Sequence, residues 1–156
     1  MSTISEERYV AASPDEVYAV VSDPAAMATL SPECYRVRWL DGAARSTVGA
    51  SFRGYNRNGP FRWWTTATVT EAEPGRRFAY TVSVLGVPVS EWAYDLEEVG
   101  EGTLVRESTT DRRSRALVLT SPVTTGVRDR EARNRRGMRT TLERLAALAG
   151  TRTEAP

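Results

Sequence analysis

The spacing of apolar residues along the chain constrains the fold more than any other feature. Between residues 33 and 111 they recur at every second position, as in Tyr35, Val37 and Trp39, which is the period of a strand with one buried face. Glycine-containing turns separate these segments. From about residue 121 to 149 the spacing becomes helical. The chain is therefore predicted to form a meander of about six strands followed by one long helix.

The segment before these strands predicts one strand and two short helices. Ser13 is a good N-cap, Pro14 suits the first helical position, and Glu16 has the spacing of a capping box. PAAMATLSP predicts a second short helix that ends before Pro32. A curved antiparallel sheet cannot bury its inner face alone, so the C-terminal helix is expected to close it, which makes an α+β protein.

Composition excludes several kinds of site. The 156 residues fit one domain, and they include no histidine, no lysine and a single cysteine, Cys34. A histidine-based triad, a histidine-ligated metal, a Schiff-base lysine, a zinc cluster and an internal disulfide are therefore excluded within this chain. No glycine-rich nucleotide-binding motif occurs. We predict no metal and no cofactor.

The net charge of +1 argues against nucleic acid or an anionic membrane as a partner. No apolar run is long enough to span a membrane, and the N-terminal residues do not form a signal peptide, so we expect a cytoplasmic protein. The arginine-rich stretch from 128 to 139 is interrupted by acidic residues and favours a solvated helix face over a nucleic-acid site. Cys34 alternates with Tyr35 and is expected to be a structural thiol.

Two adjacent tryptophans, Trp63 and Trp64, lie in a predicted strand. Neighbouring side chains of a strand point to opposite faces, and Trp63 shares its face with Phe61 and Val69. Trp63 is therefore predicted to point inward and Trp64 outward. The large rings predicted to point inward are Trp39, Phe52, Trp63, Tyr80, Trp92 and Tyr94. They fill a core or bind a planar apolar ligand.

Few polar residues are predicted to face the interior. Glu107 shares its face of the last strand with Val105, and a carboxylate in an apolar cavity can act as an acid or base near neutral pH. Its alternative role is a salt bridge with an arginine or a position on a strand edge that faces water. Helical spacing back from Met138 reaches Asn134 and Glu131. Asn134 could orient a ligand carbonyl or be a buried amide paired with the backbone.

The order of elements resembles the helix-grip fold of the START-like (SRPBCC) superfamily, in particular its polyketide cyclase/dehydrase-like members. The resemblance covers residues 4–150 and is carried by SPDEVYAVVSD, SPECYRVRWLDG, VGASFRGYNRNGPFRW, VTEAEPGRRFAYTV, GTLVRES and NRRGMRTTLERLAAL. It implies a single domain, residues 1–150, with a frayed tail at 151–156. Leu30 departs from the aromatic residue expected before SPEC, which implies a looser cavity mouth if that position lines the entrance.

The resemblance implies a cavity between the sheet and the long helix that binds a small hydrophobic or aromatic molecule. It leaves three functions open: a cofactor-independent cyclase or dehydratase, a non-catalytic carrier or sensor, and an interaction module like the chaperone regulators of this fold. The candidate catalytic residues are Glu107, Tyr94 and Tyr80. The candidate ligand-binding residues are Trp39, Phe52, Trp63, Trp92, Asn134 and Met138. A monomer or a homodimer is expected.

Overall fold

A computed structural model of the protein describes residues 2–154, with side chains as far as Ala149. The elements in chain order are β1 (Thr3–Val10), α1 (Pro14–Val21), α2 (Pro24–Leu30), β2 (Cys34–Trp39), β3 (Ser51–Asn58), β4 (Phe61–Glu73), β5 (Arg77–Val84), β6 (Val87–Val99), β7 (Gly102–Asp111), α3 (Arg115–Thr125) and α4 (Arg130–Glu154). The seven strands form one antiparallel sheet in the order β1-β7-β6-β5-β4-β3-β2. The prediction of an α+β helix-grip fold is confirmed.

The first two helices begin where the sequence predicts. The Ser13 hydroxyl accepts a hydrogen bond from the Glu16 backbone N–H at 3.2 Å, and Pro14 is the first residue of α1. The Asp23 carboxylate caps α2 by accepting from the Ala25 N–H at 3.0 Å. These caps satisfy backbone donors that have no partner within a helix.

The packed core lies under only part of α4. Residues from the second half of this helix, Leu142 and Leu145, pack with Val17, Val69 and Val105 in one buried cluster. The first half of α4 faces the same concave sheet but lies over open space instead. This division of one helix between a core and a cavity positions the candidate site.

The predicted single C-terminal helix from 121 to 149 is wrong in its first part. Two helices occur there, because Gly126 ends α3 with a left-handed φ of 71° that residues other than glycine rarely adopt. Helix α3 begins six residues earlier than predicted, at Arg115. Val123, an apolar residue within the predicted helical spacing, is 78% exposed. Helix α4 continues to Glu154, and the last two residues of the predicted tail lie outside the described residues.

A bulge changes the alternation at the start of β2. Cys34 is opposite Asn56, whereas Arg36 is opposite Tyr55, so Tyr35 is an extra residue in this strand. Cys34 therefore shares the inner face with Val37, although the two are three positions apart. Simple alternation along the strand predicts that Cys34 points away from this inner face. That prediction is wrong because of the bulge.

Candidate functional site

A cavity of about 940 Å³ lies between the sheet, α3 and the first half of α4. This volume is within the range of small-molecule sites, roughly 300–1,000 Å³. All seven strands contribute to its floor, residues of α3 and α4 supply its roof, and residues of α2 complete the wall. Exposed residues of the α3–α4 connection, including Arg128 and Asp129, border the cavity, so it opens to solvent beside this connection.

Aromatic and aliphatic side chains form most of the wall. Those that line the cavity include Phe52, Trp63, Phe78, Tyr80, Val82, Trp92 and Met138. The ring centroids of Phe52 and Tyr80 are 5.7 Å apart, and those of Phe78 and Tyr80 are 5.8 Å apart, which are favourable separations for tilted and edge-to-face rings. Such a surface favours a flat apolar molecule.

One strongly buried carboxyl group lies on the floor of this cavity. Glu107 of β7 is only 3% exposed, and its Oε1 accepts a hydrogen bond of 2.8 Å from the Tyr94 hydroxyl on the adjacent strand β6. The second oxygen, Oε2, is buried and has no hydrogen-bond partner, and the same is true of the Thr109 hydroxyl two residues along β7. Both residues line the cavity. Two unpaired polar atoms in an apolar wall are costly unless a ligand or water pairs with them.

The apolar surroundings change the protonation of these groups. Burial raises the pKa of Glu107 from 4.5 to about 8, although the hydrogen bond from Tyr94 opposes this increase. Burial also raises the pKa of Tyr94 well above its usual value of 10, and the Glu107 carboxylate and the neighbouring Tyr80 raise it further. At pH 7 the cavity therefore contains a neutral carboxylic acid beside two neutral phenols.

The rim beside the α3–α4 connection is charged, in contrast to the floor. Arg130 at the start of α4 donates from Nη1 to both carboxylate oxygens of Glu33, at 2.8 and 3.0 Å. Arg133, one turn later, donates to the same carboxylate at 3.3 Å. The Arg130 guanidinium also lies 5.8 Å from the centroid of the Trp63 ring. This network fixes the start of α4 against β2 and β4.

The outward and inward assignments of the two tryptophans agree with the structure. Trp63 is half-buried and its ring lies beneath Arg130 at the cavity. Trp64 is 38% exposed, and its ring lies under the Arg53 guanidinium on the opposite face of β4.

Most of the predicted site residues lie together around the cavity. It is lined by Phe52, Trp63, Trp92, Asn134 and Met138 from the ligand-binding set and by Glu107, Tyr94 and Tyr80 from the catalytic set. Their roles stay predictions.

Three other candidate positions lie elsewhere or at the margin. Trp39 is outside the cavity, because its position at the end of β2 places its ring against Phe52 at the border of the packed core, with centroids 5.7 Å apart. Leu30 is buried in that core and does not line the entrance. Glu131 borders the cavity, but its side chain is exposed and lies 3.6 Å from Arg135 in an ion pair.

Several lining residues were not singled out from the sequence. Asn56 is buried on the inner face of β3, where strand alternation from Phe52 could have placed it. Thr109 could have been found by the same alternation from Glu107. Cys34 could not, because only the bulge brings it inward. Burial raises the pKa of the Cys34 thiol, so it is held in its less reactive form.

A family model for polyketide cyclase / dehydrase and lipid transport proteins matches residues 1–150. The chain belongs to this family. No curated protein sequence matches it significantly. Because members differ in activity, membership establishes the fold and the general class of a ligand-binding domain and does not establish one reaction.

Solved structures with the same fold include a polyketide cyclase-like protein from Corynebacterium glutamicum, which is 28% identical with a TM-score of 0.62; the alignment covers 97% of this chain and 93% of that one. A protein from Chromobacterium violaceum is 22% identical with a TM-score of 0.70, covering 96% and 98% of the two chains. The di-domain ARO/CYC protein StfQ of the steffimycin biosynthetic pathway is 14% identical with a TM-score of 0.74, and the match covers 98% of this chain and 52% of StfQ. The last two similarities concern the fold alone.

Within residues 2–154, no helix has both the length and the apolar character that crossing a membrane requires. Among residues 2–149, whose side chains are described, no three or more Cys, Asp or Glu side chains are arranged to hold a metal ion.

Proposed function

We propose that the cavity binds a planar, largely apolar small molecule and that Glu107 performs cofactor-independent acid–base chemistry on it, as in a cyclase or dehydratase. One observation carries the proposal: Glu107 is almost fully buried, yet its Oε2 has no partner and borders a large cavity. A carboxyl group whose only role was structural would be expected to have both oxygens paired.

The arrangement of Glu107 and Tyr94 suits a proton donor. Because the Tyr94 hydroxyl donates to Oε1, the proton of the neutral acid belongs on Oε2, where a ligand can accept it. In a dehydration, Oε2–H protonates a departing hydroxyl group, which leaves as water. The resulting carboxylate then removes a proton from the adjacent carbon, which forms the double bond and restores the neutral acid.

The aromatic wall supplies the second part of the proposed mechanism. Trp92 lies opposite Thr109 on the adjacent strand, and its indole N–H donates to the Ser90 hydroxyl at 3.1 Å. This bond fixes the ring beside the polar end of the cavity. A flat substrate held against Trp92 and Tyr80 would present its oxygens to Glu107 and Thr109, and such preorientation contributes to rate without a cofactor.

A non-catalytic carrier or sensor is the second candidate, because the same apolar wall would suit simple storage of a ligand. The two functions differ in what Glu107 does. In a carrier, Glu107→Gln changes affinity for the ligand and there is no turnover to lose. In an enzyme, the same substitution slows turnover by about 10²–10⁴-fold while binding is retained. The open volume argues against a module whose aromatic residues only fill a closed core.

Binding is tested first with 8-anilinonaphthalene-1-sulfonate, an apolar fluorescent dye. We expect it to bind at one site with micromolar affinity, and we expect Trp92→Ala to weaken binding about tenfold or more. Trp64→Ala is the matched control, because it removes an indole from the opposite face of the same sheet. Equal effects of both substitutions, or the absence of saturable binding, would contradict a ligand site in the cavity.

The natural ligand is then sought by native mass spectrometry of protein purified from its host. A retained small molecule supplies the substrate for the Glu107→Gln comparison. Normal turnover of that molecule by the variant would refute the acid–base role and leave confinement in the cavity as the source of any catalysis.

A further inference from the structure

The outer surface of strands β2, β3 and β4 carries a group of side chains that the proposed function does not use. Residues paired across an antiparallel sheet point to the same face, and these side chains point away from the cavity. Three are aromatic rings: Tyr35, Tyr55 and Trp64. Five are arginines: Arg36, Arg38, Arg53, Arg57 and Arg62. We call these eight residues the arginine–aromatic face.

The positive charge of this face is not neutralised by carboxylates. Of the ion pairs formed among the side chains that the structure describes, up to Ala149, none involves any of its five arginines. Arg38 lies directly opposite Arg53, and Arg57 lies directly opposite Arg62, so like charges meet across two strand pairs. Such pairs destabilise a sheet. Because the whole chain has a net charge of +1, the remainder outside this face has a net charge of −4.

The rings and arginines of the face pack against one another. The Arg53 guanidinium carbon lies 4.2 Å from the Trp64 ring centroid, and Arg36 lies 5.3 Å from that of Tyr55. Arg57 and Arg62 lie 5.2 and 5.8 Å from the centroid of Tyr35. These contacts partly offset the repulsion between the cations. They also hold these four guanidiniums against the rings, and the Nε of Arg53 is buried without a hydrogen-bond acceptor.

We propose that the arginine–aromatic face docks an acidic surface of another protein. Arginine, tryptophan and tyrosine are the residues that contribute most to protein interfaces, and a guanidinium held in place pairs readily with a carboxylate. Trp64 is 38% exposed and Tyr35 is 41% exposed, so both rings offer apolar area to a partner. The charge of the face is complementary to a surface rich in aspartate and glutamate.

Two other occupants fit this face less well. A second copy of the chain, related by two-fold symmetry through the face, would bring five arginines against five arginines. Single-stranded nucleic acid binds by stacking its bases on bare aromatic rings. Here guanidiniums already lie against all three rings, which leaves charge as the main source of affinity. An acidic protein surface uses both the charge and the exposed ring edges.

The test compares two fluorescein-labelled probes of equal charge, octaglutamate and a nine-nucleotide oligothymidylate, by fluorescence anisotropy at low and physiological salt. The test variant combines Arg38→Gln, Arg53→Gln and Arg57→Gln. The control variant combines Arg8→Gln, Arg115→Gln and Arg136→Gln, which are exposed arginines outside the face and cause the same change in net charge. Dye binding in the cavity, on the other side of the sheet, verifies that each variant is folded.

We expect the native protein to bind octaglutamate more tightly than the oligonucleotide. The test variant should lose about tenfold or more in affinity for octaglutamate, which corresponds to about 1.4 kcal/mol, and the control variant less than about twofold. Equal losses in the two variants would overturn the proposal, because binding would then depend on net charge alone. Tighter binding of the oligonucleotide, lost in the test variant, would replace it with a nucleic-acid site, and no binding of either probe would also refute it.

Discussion

Replacing Glu107 by glutamine should stabilise the protein at alkaline pH and have little effect at acidic pH. The substitution preserves the shape of the side chain and its ability to accept a hydrogen bond from Tyr94, but it removes the group that ionises. In the native protein, burial raises the pKa of Glu107 to about 8, whereas an exposed glutamate titrates near 4.5. Ionising this group therefore requires more free energy in the folded state than in the unfolded chain.

The sign and size of the effect follow from proton linkage. Between pH 4.5 and about 8 the folded protein retains a proton that the unfolded chain releases, so stability falls as pH rises through this window. Each unit of pKa difference corresponds to about 1.4 kcal/mol, which gives an upper limit of about 5 kcal/mol above pH 8. Below pH 4.5 the group is protonated in both the folded and the unfolded state, so its contribution to stability is fully present there. Glutamine does not titrate, so the variant lacks this decline.

Urea unfolding followed by circular dichroism at pH 5, 7 and 8.5 measures the difference directly. We expect the stability of Glu107→Gln relative to the native protein to increase by several kcal/mol from pH 5 to pH 8.5. Groups that ionise in both proteins contribute equally to the two stabilities and cancel in this difference. A difference that does not change with pH would show that the carboxyl group is solvated and would refute the reasoning.

Two neighbours of Glu107 provide controls for this experiment. Tyr94→Phe removes a hydrogen bond that lowers the pKa of Glu107, so the decline in stability should extend to higher pH. Thr109→Val removes an unpaired buried hydroxyl that does not titrate, and it should leave the pH dependence unchanged.

The remaining predictions concern the helices. Gly126→Ala should destabilise the protein more than Gly59→Ala, by about 1–3 kcal/mol in urea unfolding. Both glycines have a positive φ, but a Cβ at Gly126 would lie 2.6 Å from the Phe61 ring, whereas one at Gly59 would meet open space. Equal losses of stability would contradict the contact with Phe61. Leu142→Ala should cost about 2–5 kcal/mol because it opens a void in the packed core. Met138→Ala, one turn earlier on the same helix, should cost less and alter dye binding, because its side chain borders the cavity; a larger stability loss for Met138→Ala would place it in the core.

The sheet and its two faces could be predicted from the sequence because strand alternation is a local property. The parity of their positions places Phe52, Trp63 and Glu107 on the inner face, and each of them lines the cavity in the structure. The division between core and cavity could not be predicted in the same way. Trp39 and Trp92 have the same periodic signal, but only the curvature of the sheet and the path of α4 decide which of them borders open space.

The predictions for Cys34 and for the C-terminal helix are wrong because a local feature interrupts the regular spacing of apolar residues. A strand that gains one residue changes face, and nothing in CYRVRW indicates that Tyr35 is the extra residue. The interruption at Gly126 was visible as a glycine within an apparently helical pattern, and the aspartate at 129 is a good helix cap, since its carboxylate accepts from the Ala132 N–H at 3.0 Å. Both signals indicate two helices, whereas the apolar spacing alone predicts one.

Two kinds of contact hold the two halves of α4 in place above the core and the cavity. Its second half is held by apolar packing through Leu142 and Leu145, whereas its first half lacks such packing over the cavity. There, ion pairs join it to the sheet side of the molecule: Arg130 and Arg133 with Glu33. These side chains are only 16–30% exposed, so the network is less screened by solvent than a surface ion pair. Ion pairs at the rim thus hold the first half of α4 against the sheet where the cavity takes the place of apolar packing.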